Sequence, residues 1–196
     1  MKSDQQYRQC DRCGGTFATL DSLPSRELER EQYDLHENDP SDPNYRRFVS
    51  YLADPLIKRL PEGAEGLDYG CGDGPAGAAL LAEAGFAVRC YDPLFANDVS
   101  ALEREYDFIF CCEVVEHFHQ PAREFEKLDQ LLRPGGILAV MTAMEYPDID
   151  FDSWHYRRDP THVAFYRPDT MLQIGWDRHW QTALPARNVV LFTKRS

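Results

Sequence analysis

One stretch decides the fold of this chain: Leu67-Asp68-Tyr69-Gly70-Cys71-Gly72-Asp73-Gly74. It follows a short apolar run, and its three glycines stand at alternate positions. A helix-forming segment, residues 75–84, begins immediately after it, and Pro75 suits the first helical position because that position needs no N–H donor. The pattern predicts a strand, a glycine turn and a helix N-terminus, an arrangement in which the main chain can approach a ligand closely.

A second strand and an acidic residue follow at a spacing typical of nucleoside-binding folds. Residues 86–91 read as a strand and lead directly into Asp92 and Pro93. Asp92 lies 18 residues after Gly74. Nucleoside-binding α/β folds place an acid about 20 residues past the glycine loop, where it accepts hydrogen bonds from ribose hydroxyls. The dinucleotide pattern G-x-G-x-x-G is not matched, because this loop reads G-x-G-x-G with Asp68 two residues before it.

Two further segments complete a set of four motifs. Residues 106–118 read as a strand with a following loop, and residues 133–141 read as a glycine turn that leads into another strand. Together with the glycine loop and Asp92, they span residues 67–141. In this order the motifs resemble those of the class I methyltransferases that use S-adenosylmethionine.

The resemblance implies a fold, a cofactor and a set of binding residues. The implied fold is α/β, a doubly wound Rossmann-like sheet of seven strands whose last strand, within residues 188–194, is antiparallel. Residues 97–105 are few for a complete strand and helix, so the third strand is expected to be brief or abbreviated. Asp68 is expected near the methionyl amino group of S-adenosylmethionine, Asp92 at its ribose and Asp98 at its adenine. The remaining expected cofactor contacts are Gly70, Cys71, Gly72, Gly74, Pro93, Cys112 and Glu113.

Composition restricts the class of protein. The chain has 196 residues, 43% of them hydrophobic, which suits one globular domain with small additions. Its formal net charge of −12 repels phosphate backbones and argues against nucleic acid as the main substrate. No apolar run is long enough for a membrane span, and the polar N-terminus lacks the centre of a signal peptide, so we expect a cytoplasmic protein.

The chain divides into three predicted parts, residues 1–22, 23–60 and 61–196, of which the last is the methyltransferase domain. Residues 23–60 read as two charged helices, and the second places four apolar side chains on one face. These are Tyr45, Phe48, Val49 and Leu52. Two interpretations stay open. The helices either pack against the sheet as ordinary core elements or form a lid over the cofactor that includes Tyr33, His36 and Asn38.

A cysteine pair near the N-terminus resembles one knuckle of a zinc ribbon. Cys10 and Cys13 are separated by two residues and followed by two glycines, a spacing at which two thiolates can bind one zinc ion. A structural zinc site needs four ligands. The missing two could be histidines such as His36, His155 or His162. Equally, the knuckle could bind no metal.

The segment after the fifth strand carries the candidate acceptor residues. Residues 151–166 lack clear periodicity but are rich in aromatic and titratable side chains, and long loops of this kind tend to be functional. Residues 159–166 are similar to a D-x-T-H-V-x-F-Y arrangement found in many small-molecule methyltransferases. His162 is therefore a candidate general base for an oxygen or nitrogen acceptor. Alternatively, it bonds a loop carbonyl and only shapes the pocket. The other candidate catalytic residues are His155, Asp159 and His117.

The sequence thus predicts an S-adenosylmethionine-dependent methyltransferase that acts on a small-molecule acceptor. Two alternatives remain: the acceptor is a protein or an RNA, or the chain is a catalytically silent partner subunit that binds the cofactor.

Overall fold

The computed structural model describes residues 5–35 and 38–195. The helices are α1 (Arg26–Tyr33), α2 (Pro43–Ile57), α3 (Ala76–Glu83), α4 (Pro121–Leu131) and α5 (Pro168–Asp177). The strands are β1 (Tyr7–Gln9), β2 (Thr16–Ala18), β3 (Glu65–Tyr69), β4 (Ala87–Tyr91), β5 (Tyr106–Cys112), β6 (Leu132–Met141), β7 (Ala164–Phe165), β8 (Gln181–Ala186) and β9 (Val189–Thr193). Short 3-10 helices cover Leu20–Ser22, Val99–Leu102, Val115–His117 and His155–Arg158. Within these ranges no helix is long and apolar enough to cross a membrane.

The main sheet has the strand order β4-β3-β5-β6-β9-β8. β4, β3, β5 and β6 run parallel, whereas β9 is antiparallel to both of its neighbours. Apolar side chains cover both faces of the sheet, with α2 and α3 on one side and α4 and α5 on the other. A strand covered on both faces reads as a continuous apolar run, as β5 does from Phe108 to Cys111. The doubly wound arrangement and the antiparallel last strand are confirmed.

The predicted count of seven strands is wrong for this sheet, which has six strands among the described residues. The difference lies between β4 and β5. Residues 92–105 contain an isolated bridge from Asp92 to Ala96 and the 3-10 helix Val99–Leu102, and no strand. A parallel crossover alone takes about a dozen residues. The segment is therefore long enough to return the chain from β4 to β5 and too short to add an edge strand.

A second, smaller sheet joins the N-terminus to the predicted acceptor segment. The antiparallel hairpin β1–β2 pairs with β7, with Thr16 opposite Phe165 and Phe17 opposite Ala164. The amide of Ala18 extends this pairing by donating to the carbonyl of Val163 at 2.8 Å. The hairpin of the predicted segment 1–22 is thus hydrogen-bonded directly to residues 163–165.

The two N-terminal helices form where the sequence predicts them. Ser25 caps α1 by accepting a hydrogen bond from the amide of Leu28 at 3.3 Å. The buried face of α2 consists of Val49, Leu52, Ala53 and Leu56, which join the core on the α3 side of the sheet. Phe48, predicted on this face, is 41% exposed. The helix therefore packs as a core element, and its apolar face lies about one turn further along than predicted.

Candidate active site

The glycine loop between β3 and α3 has a shape that side chains would prevent. Gly70 and Gly72 adopt φ angles of +77° and +64°, which residues with a Cβ adopt at a cost. A Cβ on Gly70 would lie 2.7 Å from the side chain of Val114, and one on Gly74 would lie 1.7 Å from the backbone oxygen of Asn38. The loop is therefore enclosed by the segment after β5 on one side and by the connector between α1 and α2 on the other.

Asp68 lies buried under the start of α3. Its Oδ2 accepts a hydrogen bond from the amide of Ala78 at 2.9 Å. Burial, together with the neighbouring thiol of Cys90, raises the pKa of Asp68 to about 8, so this carboxyl holds a proton near pH 7. The helix itself begins at Ala76, and Pro75 is the residue before it rather than the first helical residue.

Asp92 connects the end of β4 to the glycine loop. Its Oδ1 accepts hydrogen bonds from the amides of Leu94 at 2.8 Å and Phe95 at 3.1 Å, and its Oδ2 accepts one from Gly72 at 3.2 Å. A carboxylate has about four acceptor positions, so one remains on Oδ2 for a further donor. The acid after the second strand therefore lies beside the glycine loop, and its binding to the ribose stays a prediction.

The other residues predicted to bind the cofactor are more dispersed. Cys71 is buried within the glycine loop, whereas Pro93 and Asp98 are exposed. Asp98 caps the 3-10 helix Val99–Leu102 by accepting from the amide of Ser100 at 3.1 Å. The structure brings one group to the carboxyl ends of β3 and β4: Asp68, Gly70, Cys71, Gly72, Gly74 and Asp92.

A partly buried polar cluster follows β5. The hydroxyl of Tyr156 lies 2.6 Å from Oε1 of Glu116 and 3.0 Å from Oε2 of Glu113. Glu116 is 0% exposed. Burial, and the negative charge of Glu116, raise the pKa of Glu113 to about 8, and burial also raises the pKa of Glu116. Glu113, predicted as a cofactor contact, therefore faces the acceptor loop through Tyr156.

Two histidines complete this cluster, with their rings 4.9 Å apart. Nδ1 of His117 lies 3.1 Å from the carbonyl oxygen of Thr161, and Nδ1 of His162 lies 2.7 Å from that of Tyr156. Because a carbonyl oxygen only accepts hydrogen bonds, each Nδ1 must be the donor, which leaves the lone pair of each neutral ring on Nε2. Burial lowers the pKa of His162 and favours this neutral form.

The histidine at the centre of the predicted acceptor loop thus bonds a loop carbonyl and also keeps a basic nitrogen. Both interpretations of His162 from the sequence are compatible with this geometry. Asp159 accepts hydrogen bonds from the amide and hydroxyl of Thr161 at 2.8 and 2.6 Å, and its Oδ2 lies 3.8 Å from Nε2 of His162. His155 is exposed on its 3-10 helix.

Comparison with known families decides the assignment. A profile of the methyltransferase domain family matches residues 43–182, more than two-thirds of the chain, which includes the glycine loop, Asp92 and the polar cluster. The chain belongs to the methyltransferase domain family. It is an S-adenosylmethionine-dependent methyltransferase. No curated protein sequence matches this methyltransferase.

Solved structures share the α/β methyltransferase fold. One is the 1,6-didemethyltoxoflavin-N1-methyltransferase of Burkholderia thailandensis with 1,6-didemethyltoxoflavin and S-adenosylhomocysteine bound, with a TM-score of 0.66, 15% identity, and coverage of 98% of this chain and 99% of that one. Another is an O-methyltransferase family protein from Burkholderia thailandensis, with a TM-score of 0.52, 16% identity, and coverage of 87% and 70%. A third is CalO1, a methyltransferase in calicheamicin biosynthesis, with S-adenosylhomocysteine bound (TM-score 0.53, 11% identity, coverage 78% and 55%).

The residues of this methyltransferase fit its cofactor. A Cβ on Gly74 would collide with the backbone of Asn38, so the loop needs a glycine there. The space over Gly72 is open, because a Cβ there would meet only the side-chain amide nitrogen of Asn38, at 3.9 Å. Asp92 keeps an acceptor position on the oxygen that faces the loop.

The predicted zinc site is not supported. Cys10 and Cys13 lie on the β1–β2 turn, where the amide of Gly14 donates to the carbonyl of Cys10 at 2.8 Å. Across residues 5–35 and 38–195, the groups of three or more potential metal ligands do not include either cysteine. His162, one of the predicted further ligands, belongs to the polar cluster after β5, and His36 lies outside the described residues.

Sequence reasoning missed the roles of Glu116 and Tyr156. The signal available was the spacing Glu113-x-x-Glu116-His117 directly after a buried strand. The 3-10 helix Val115–His117 turns both carboxylates toward the same side, where Tyr156 bridges them. That bridge depends on the path of residues 142–156, which no local pattern predicts.

Proposed function

We propose that this methyltransferase acts on a small-molecule acceptor that carries a hydroxyl or an N–H group. The observation that supports this most directly is the partly buried cluster of Glu113, Glu116, Tyr156, His117 and His162 after β5. A basic nitrogen such as Nε2 of His162 serves an acceptor that must lose a proton, and a largely desolvated site suits a compact acceptor. The Burkholderia enzyme with 1,6-didemethyltoxoflavin bound, which matches nearly the whole chain, has a small acceptor of this kind.

The cofactor would lie across the carboxyl ends of β3 and β4. We propose that Gly70, Cys71, Gly72 and Gly74 give the main chain close access to it, with Asp68 behind them and Asp92 at the ribose. When bound, S-adenosylmethionine supplies an electrophilic methyl group. Pro93, Asp98 and Glu113 would make at most peripheral cofactor contacts, because the first two are exposed and Glu113 is bonded to Tyr156. Cys112, the last residue of β5, stays a proposed contact.

Helix α1 would act as the lid over this site. The ring of Tyr33 lies 5.3 Å from that of His117, and Glu29 accepts a hydrogen bond from His119 at 2.7 Å. The guanidinium of Arg30 lies over the ring of Phe95 at 5.8 Å. One short helix therefore contacts both the loop after β4 and the loop after β5. Since it has no buried residue of its own, α1 can open at low cost to admit cofactor and acceptor.

In the reaction, the bond from sulfur to the methyl carbon breaks and a bond from the acceptor oxygen or nitrogen forms, while sulfur keeps the electron pair. The chain aligns the acceptor with the methyl group and excludes water. The proton of the acceptor has to leave, and Nε2 of His162 carries the lone pair best placed to receive it. Asp159 and His117 would orient this ring.

The acceptor class can be tested with methyl-labelled S-adenosylmethionine and a cell extract separated into a low-mass filtrate and a macromolecular fraction. We expect label in a low-mass product, and much less of it with the Asp92→Asn variant. Label only in the macromolecular fraction would contradict the proposal, and protease or nuclease sensitivity would then identify a protein or an RNA acceptor. Cofactor binding without labelling of either fraction would indicate a silent partner subunit.

A further inference from the structure

Three potential metal ligands converge in the polar cluster after β5. One donor atom each from Glu116, His117 and His162 lies within 4.8 Å of the other two. We propose that these three residues bind a divalent first-row transition-metal ion, which in turn binds the acceptor. The cysteine knuckle, predicted from the sequence as the metal site, has no part in this.

The donor set is the first argument. Two imidazoles and one carboxylate form a set that suits divalent transition metals, and imidazole in particular favours them over magnesium and calcium. Three protein ligands on one side also leave further coordination positions for water or a substrate, as in catalytic metal sites.

The hydrogen bonds behind the histidines are the second argument. Nδ1 of His117 and of His162 donates to the backbone carbonyl of Thr161 and of Tyr156, respectively. Metal-binding histidines almost always use their second nitrogen in this way, which fixes the ring orientation and the tautomer. Here Nε2 of His117 lies 3.9 Å from Oε1 of Glu116, and a donor atom of His162 lies within 4.8 Å of donor atoms of both residues.

The third argument is an orphaned oxygen. Oε1 of Glu116 accepts a hydrogen bond from Tyr156, but Oε2 is buried without a partner, and the whole residue is 0% exposed. A buried carboxylate oxygen without a partner is strongly unfavourable, and a cation bound at this carboxylate would offset that cost.

The cluster requires only a small adjustment to bind an ion. Metal–ligand distances of about 2.0–2.2 Å place neighbouring donors roughly 3–3.5 Å apart. Donors up to 4.8 Å apart would therefore approach each other by as much as about 1.5 Å, which side-chain rotation supplies. The side chain of His117 is 18% exposed and provides the route of entry.

A bound ion would change one step of the proposed reaction, the removal of the acceptor proton. This consequence rests on the proposed acceptor class. An acceptor hydroxyl on the ion would lose its proton to water near neutral pH, because coordination lowers its pKa. The lone pair of His162 would then belong to the metal, and His162 would act as a ligand rather than as the base.

Metal binding can be measured without knowing the acceptor. The full-length protein is treated with a chelator and dialysed against Zn²⁺ alone, and the bound metal is determined by elemental analysis. We expect one ion per chain. Loss of a ligand in Glu116→Gln or His162→Ala should weaken binding by at least about 100-fold, because even loss of an outer hydrogen bond weakens it 10–100-fold. The Cys10→Ser/Cys13→Ser double variant and His155→Ala are the matched controls and should bind as the wild type does.

A Co²⁺ spectrum identifies the ligands independently. We expect no thiolate-to-metal charge-transfer band in the wild-type protein. Lack of Zn²⁺ binding by the wild type, unchanged binding in the folded Glu116→Gln variant, or loss of binding in the double cysteine variant would each overturn the proposal. Glu116→Gln keeps the size of the side chain, so its melting curve separates loss of a ligand from loss of the fold. Because these measurements need no acceptor, failure of the metal site is distinct from failure of the proposed acceptor class.

Discussion

Replacement of Asp92 by asparagine should weaken binding of the cofactor. The carboxylate accepts hydrogen bonds from the amides of Leu94, Phe95 and Gly72. In Asp92→Asn the remaining oxygen can still accept the hydrogen bonds from the amides of Leu94 and Phe95. The new NH₂ group then faces the N–H of Gly72 and any ribose hydroxyl that donates, so donor faces donor. A hydrogen bond to a charged acceptor contributes about 1.5–3 kcal/mol. We therefore expect the Kd for S-adenosylmethionine to rise by about 10- to 150-fold.

The matched control for this variant is Asp98→Asn. Asp98 is also a capping carboxylate in the same loop, but it is exposed and its hydrogen bonds go to Ser100 alone. Its replacement should leave the Kd nearly unchanged. Calorimetric titration of both variants with S-adenosylmethionine and S-adenosylhomocysteine measures the difference. Wild-type affinity in a folded Asp92→Asn, or an equal loss in both variants, would refute the assignment of Asp92.

Three further predictions follow from the site. Because the pKa of Asp68 is raised, the folded protein holds this proton up to about pH 8, whereas the unfolded chain releases it near pH 4. The free energy of unfolding should therefore fall as pH rises between these values. The urea midpoints at pH 6 and pH 8.5 should differ less in Asp68→Asn than in the wild type. The variant His162→Ala should lower the rate of methyl transfer by roughly 10²–10⁴ at unchanged cofactor affinity, and His155→Ala should retain the wild-type rate, as labelled-product assays would show. In Gly74→Ala the new Cβ would collide with the backbone of Asn38, and overpacking of about 1–3 kcal/mol should weaken cofactor binding about 5- to 150-fold, measured by calorimetry.

The cofactor half of the site could be predicted because its determinants are local. Glycines at alternate positions after an apolar run specify a turn with positive φ angles, as found at Gly70 and Gly72. The carboxyl ends of neighbouring parallel strands meet at one edge of a sheet, which brings Asp92 to this turn. Both inferences need only the order of the elements along the chain.

The acceptor half could be predicted only in part, because its contacts join distant segments. Local composition predicts His162 and the loop around it as candidates, but the Tyr156 bridge between Glu113 and Glu116 depends on how that loop folds back. No local pattern in the sequence predicts that β2 pairs with β7. The cysteine knuckle was misleading for a related reason, since two thiols at the right spacing do not reveal whether other ligands lie nearby.

The small sheet has a consequence for the time course of folding. Phe17 of β2 pairs with Ala164 of β7, about 150 residues later in the chain. At a synthesis rate of roughly 5–20 residues per second, the N-terminal hairpin would wait about 7–30 seconds on the ribosome for its partner strand. Contacts of such long sequence separation also close late in refolding. The small sheet beside the proposed acceptor segment is thus among the last parts of the nascent enzyme to assemble, after the strands that carry the glycine loop have been synthesised.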